Sequence, residues 1–159
     1  MYENGGKELQ FINVFVDGVV IAGNDFNSGY AGVGVVVKYK FRDIEIADPL
    51  VGFVTESMTK LKAVVKGLTI IEDKSSALVT MYGNFENYLY ELINSVVNHE
   101  NQFKLTTEPL KTIRYLASRC SLFRLVNVKE GQVRPLEEAT NLATIAASSF
   151  AGRYKITSQ

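Results

Sequence analysis

The run I-N-V-F-V-D-G at residues 12–18 ends on an aspartate beside a glycine, and a second glycine-punctuated apolar stretch, G-Y-A-G-V-G-V-V-V, follows at residues 29–37. A carboxylate held at the tip of a buried strand is the kind of oxygen donor that hard divalent cations take. Asp17 is therefore the first candidate ligand, and the question is which groups the fold brings to it. Softer metal chemistry is excluded: the chain has one cysteine, Cys120, and one histidine, His99. These build neither an internal disulfide nor a Cys/His zinc site. Cys120, just before an apolar strand, reads as a core residue, and His99, in a polar stretch, as a solvated one.

Charge is the second chemical signal. The formal net charge is zero, which argues against coating nucleic acid by bulk electrostatics. The distribution is uneven: residues 102–134 carry seven basic side chains (Lys104, Lys111, Arg114, Arg119, Arg124, Lys129, Arg134) against the two acids Glu108 and Glu130, whereas residues 1–101 carry eight basic and thirteen acidic. Such a segment suits phosphate contacts, a protein partner, or simply a solvated helix face. Tyr82, Tyr88, Tyr90 and Tyr115 are spaced as half-buried core rather than as a base-stacking platform.

The elements that must position these groups are legible from periodicity. Phe11–Val16 reads as a strand, Gly32–Phe41 as a second, and residues 42–54 as a third interrupted at Asp48-Pro49; together they predict an antiparallel meander. The period then changes. Met58, Leu61, Val64 or Val65, and Leu68 recur at helical spacing, with Thr55 or Ser57 as N-cap. A strand at Ala77–Tyr82, a helix through Tyr88, Leu89, Leu92, Ile93 and Val96, and a polar loop at 98–107 come next. Pro109 then opens a helix over Leu110–Ala117. A strand at Ser121–Val128, a polar loop and a closing helix at Leu136–Phe150 complete the chain. Helical crossovers make the later strands parallel, so the sheet is expected to be mixed.

In this order the fragments F-V-D-G, G-Y-A-G-V-G-V-V-V, T-E-S-M-T-K-L-K-A-V-V-K-G-L, V-T-M-Y-G-N-F and V-N-V-K-E-G-Q-V-R-P-L-E-E-A-T-N-L-A-T-I-A-A resemble the ribonuclease H family, over roughly residues 10–150. The resemblance implies an α/β ribonuclease H-like fold: a five-stranded mixed sheet, three antiparallel strands then parallel ones, with helices on both faces. It also implies a single domain over residues 1–159 with short flexible termini.

In that family four carboxylates hold two divalent ions, usually Mg²⁺, at a phosphodiester. Carried over residue by residue, Asp17 matches the first acid. Lys60 stands for the second, Asn84 for the third, Thr140 for the fourth, and Glu130 for a loop histidine. Glu137 and Glu138 lie near Thr140 on neighbouring faces of the last helix, and Glu56 and Glu138 are the acids that a relocated cluster would use. An amide adds no charge to a metal site, and Lys60 reverses it; a lysine there would pair with Asp17 in place of an ion.

The resemblance therefore implies a catalytically degenerate domain, a pseudoenzyme with no cofactor, acting as a nucleic-acid-binding or protein-scaffold module. The alternative is an active Mg²⁺-dependent endoribonuclease cutting the RNA strand of RNA/DNA hybrids with a rearranged acid cluster. The implied partners are an RNA/DNA or RNA duplex, contacted by the basic segment, or a protein assembly. The start of the chain lacks signal-peptide character and no apolar run approaches membrane length, so an intracellular, non-secreted protein is expected.

Overall fold

The computed structural model describes residues 2–3, 7–22, 29–50, 54–98, 108–129 and 133–157. His99, Lys104 and Glu130 lie outside them. The main sheet is built from β1 (Gln10–Ala22), β2 (Gly29–Lys38), β3 (Asp43–Leu50), β4 (Ala77–Gly83) and β5 (Leu122–Asn127), in the order β3-β2-β1-β4-β5. β1, β2 and β3 are antiparallel neighbours, while β4 and β5 run parallel to β1. The helices are α1 (Glu56–Thr69), α2 (Asn87–Val97), α3 (Glu108–Ser118) and α4 (Arg134–Thr157). None of the described helices is long and apolar enough to cross a membrane.

Strand alternation sorts side chains onto the two faces of the sheet. Ile12, Val14 and Val16 of β1, Val33, Val35 and Val37 of β2, and Val79 and Met81 of β4 face α1, α2 and α3, forming the larger core with Leu61, Val64, Leu68, Ile93 and Ile113. Phe15, Val36 and Tyr82 face the other way, under Leu136 and Ala139 of α4. Phe15 and Tyr82 stack with ring centroids 4.7 Å apart. Cys120 packs against the larger core, where burial pushes its thiol pKa up.

α1 starts where the capping chemistry says it should: Thr55 accepts the Met58 N–H at 3.2 Å, and Glu56 sits in the positive first turn. On the other face, α4 lies against β2 at backbone distance. A Cβ on Gly34 would stand 1.9 Å from the Ala139 carbonyl oxygen, and one on Gly32 2.4 Å from that of Ala143. Two glycines on the strand and a line of alanines on the helix thus set this contact.

Several boundaries differ from the sequence reading: β2 spans Gly29–Lys38 rather than Gly32–Phe41, α4 runs over Arg134–Thr157 rather than Leu136–Phe150, and two further differences concern β3 and β1. β3 runs unbroken through Asp48-Pro49, because it is an edge strand and a proline there forfeits no ladder bond. β1 continues well beyond Val16, so Asp17 is not at its tip. The strand's pairing with β4 stops at Phe15 while its pairing with β2 goes on to Ala22. Asp17 sits where one neighbour of the strand has just ended.

Candidate functional site

That one-sided ending makes the site. Past Phe15 the sheet opens on the β4 side, and a cleft of about 730 Å³ lies there, lined by residues from β1, α1, the β4–α2 loop and α4. Asp17 has the parity of Phe15 and therefore faces the α4 side, whereas α1 packs on the opposite face. The Lys60 side chain comes to it through the gap that β4 leaves. α1 can approach β1 this closely because residue 18 is glycine: a Cβ there would stand 2.7 Å from the Thr59 methyl.

The carboxylate of Asp17 is 9% exposed and fully engaged. Oδ1 accepts the Gly18 N–H at 2.8 Å and faces the Lys60 ammonium at 3.4 Å. Oδ2 accepts the Thr140 hydroxyl at 2.6 Å. That hydroxyl also lies 3.1 Å from the Leu136 carbonyl, but it has one proton, and the shorter contact to a charged acceptor takes it. Lys60 also donates to the Asn84 backbone carbonyl at 2.5 Å. Asn84 thus serves the site through its backbone.

The loop that presents this carbonyl is itself clamped. Asn127, at the end of β5, accepts the Phe85 N–H at 2.9 Å and donates to the Phe85 carbonyl at 3.0 Å. The sequence reading missed Asn127, because nothing in V-N-V signals a side chain that closes a neighbouring loop. Asn127→Ala should cost about 2 kcal/mol, since it leaves a part-buried N–H and C=O unpaired. A lower urea midpoint at unchanged m-value checks it.

The predicted acids divide. Glu56 lines the cleft with Asp17, and so do Glu86, which the sequence reading did not name, and Glu137, which it passed over for Glu138. Glu138 does not line it; its charge acts on Lys38 of β2 instead. The reason is helical phase: Leu136, Glu137, Thr140 and Asn141 share one face of α4, and the residue after Glu137 turns about 100° away. Counting its lining residues, the cleft holds four carboxylates (Asp17, Glu56, Glu86, Glu137) and one ammonium.

A pair of divalent ions does not fit this donor set. The most buried carboxylate already has each oxygen occupied, and the group beside it is a cation. Among the described residues no three Asp, Glu, His or Cys side chains converge as a metal site. The arrangement can hold a fixed ion pair at Asp17, and it offers exposed acids on the rim.

The basic segment does not form one surface. Lys111 and Arg114 are on α3, and Arg119 follows it with its guanidinium over the Tyr115 ring. Arg124 shares the parity of Val126 and points to the opposite face of the sheet, while Arg134 begins α4. Strand alternation separates residues that are close in sequence. The tyrosines divide likewise: Tyr82 and Tyr90 are half-buried, whereas Tyr88 and Tyr115 are mostly exposed.

No protein-family model matches the chain, and no curated protein does. Solved structures do. The chain is similar to RNase H1 from the halophilic archaeon Halobacterium salinarum, with 17% identity, 87% of this chain and 98% of that one covered, and a TM-score of 0.61. It is similar to the PFV RNase H domain, with 21% identity, 89% and 96% covered, and a TM-score of 0.63. It is also similar to LC11-RNase H1 in complex with an RNA/DNA hybrid, with 18% identity, 87% and 97% covered, and a TM-score of 0.59. The fold is ribonuclease H-like.

Proposed function

We propose that this ribonuclease H-like domain works by binding rather than by cutting phosphodiesters, as a nucleic-acid-binding or protein-scaffold module. The observation that carries the reading is the Lys60 ammonium, 3.4 Å from Asp17 and 2.5 Å from the Asn84 carbonyl. It supplies internally the positive charge that a divalent ion supplies in a two-ion site. An ammonium neutralises a carboxylate but cannot lower the pKa of a bound water or clamp a leaving oxygen, so no nucleophile is generated. Without bound cations the acidic rim of the cleft repels a phosphate backbone. Binding then falls to other surfaces.

One feature favours the second reading, a nuclease with a rearranged cluster. Glu56 and Glu137 share the cleft with Asp17, so displacement of Lys60 would leave acids to recruit an ion. One assay separates the two. A labelled RNA/DNA hybrid, the ligand in one of the similar structures, is incubated with the protein and Mg²⁺ or Mn²⁺. We expect no cleavage above buffer, and no difference between the natural chain and Asp17→Asn. Specific cutting that vanishes in Asp17→Asn overturns the binding-only reading.

A further inference from the structure

α4 covers only part of its face of the sheet. β1, β4 and β5 are paired so that side chains on this face stand in cross-strand rows. The row Phe15, Tyr82, Val126 packs beneath the start of α4. From there the helix runs over Gly34 and then Gly32, away from the start of β1. The other two rows are left open: Asn13, Thr80 and Arg124, then Phe11, Leu78 and Leu122. Phe11 is 79% exposed and Leu122 54%. Among the described residues, the side chains of Asn13, Thr80 and Arg124 have no hydrogen-bond or ion-pair partner.

We propose that this open half-face binds single-stranded nucleic acid, at a site separate from the acidic cleft. Three features choose that occupant. Phe11 offers an uncovered ring on the open face of the sheet, the kind of platform on which unpaired bases stack. The neighbouring row is polar and unpartnered, so a base edge satisfies it, whereas an apolar protein helix laid across it would bury those groups unpaired. The cations are placed for a phosphate backbone: Arg124 lies on one side, and on the other Lys40, its ammonium 5.2 Å from the centre of the exposed Phe41 ring, sits in the turn just after Lys38, which pairs in register with Asn13. Lys38 itself is already paired with Asp43 at 2.7 Å.

Three strands span about 10 Å, room for two or three nucleotides. A duplex keeps its bases stacked inside and cannot offer one to Phe11, so the site distinguishes single strands from double.

The test is fluorescence anisotropy with labelled oligouridine and oligothymidine of about ten nucleotides at low salt. We expect salt-sensitive binding, weakened about tenfold or more by Phe11→Ala and by Arg124→Glu, and retained by Phe11→Tyr. Both residues are exposed, so the variants keep the fold, and thermal unfolding verifies that. Absence of binding at low salt overturns the proposal. So does binding that neither substitution weakens, or a duplex that competes as well as the single strand. If Phe11→Ala instead dissolves self-association in sedimentation, the face is a protein interface and the proposal fails, while the reading of the cleft stands.

Discussion

Gly34→Ala is expected to be the most damaging small substitution in the chain, lowering stability by about 3 to 4 kcal/mol. The added methyl would stand 1.9 Å from the Ala139 carbonyl oxygen and 2.6 Å from the Ala143 nitrogen. Both are backbone atoms of a helix, so no rotamer change relieves the clash. Gly34 does not have the left-handed conformation that only glycine adopts easily, so the penalty is one of space. Either α4 lifts from β2, or β2 bends away from β1. Lifting α4 also removes the Thr140 hydroxyl from Asp17. A urea titration measures the stability loss, and amide exchange reads the site: the Gly18 N–H, bonded to Asp17 in the native state, should exchange faster. A variant as stable as the natural chain would show that the helix is not seated at this distance.

The second large effect is expected at Lys60. Lys60→Met keeps the aliphatic stem and removes the charge, leaving a carboxylate that is about one-tenth exposed with only Thr140 and the Gly18 N–H. Breaking a fully buried pair from one side costs 3 to 5 kcal/mol; with the cleft open to water, about 2 to 3 kcal/mol is expected here. Asp17→Asn combined with Lys60→Met should recover much of that loss, since neither charge is then stranded. A coupling energy above about 1 kcal/mol in the double-mutant cycle marks a direct interaction. Additive effects would mean that Lys60 is held by the Asn84 carbonyl alone.

These expectations show which features could be read from residue order and which could not. The strands and helices follow local periodicity, and their order brings Asp17, Lys60, Asn84 and Thr140 into one region. What failed depended on a single residue of phase or register. Glu138 and Glu137 are adjacent, yet helical rotation puts only Glu137 in the cleft. Arg124 belongs by sequence to the basic segment at residues 102–134, but strand parity turns it to the face opposite α3. Asp17 and Gly18 only interrupt the apolar run, which resumes at Val19–Ala22 within the same strand. The true setting of Asp17, beyond the last β1–β4 pair, is a property of a neighbour some sixty residues away. Gly32 and Gly34 read as turn or strand punctuation, and only the packed helix shows them as the seat of α4.

Pro49 has a consequence beyond letting β3 run straight. An edge strand exposes a row of unpaired peptide groups, a template on which another chain can build. β3 is one of the two ends of the sheet, and it carries a residue with no N–H to offer, along with exposed Asp43 and Glu45. Growth of the sheet from that side is blocked by chemistry, which leaves β5 as the edge through which copies of this chain would join if they aggregated.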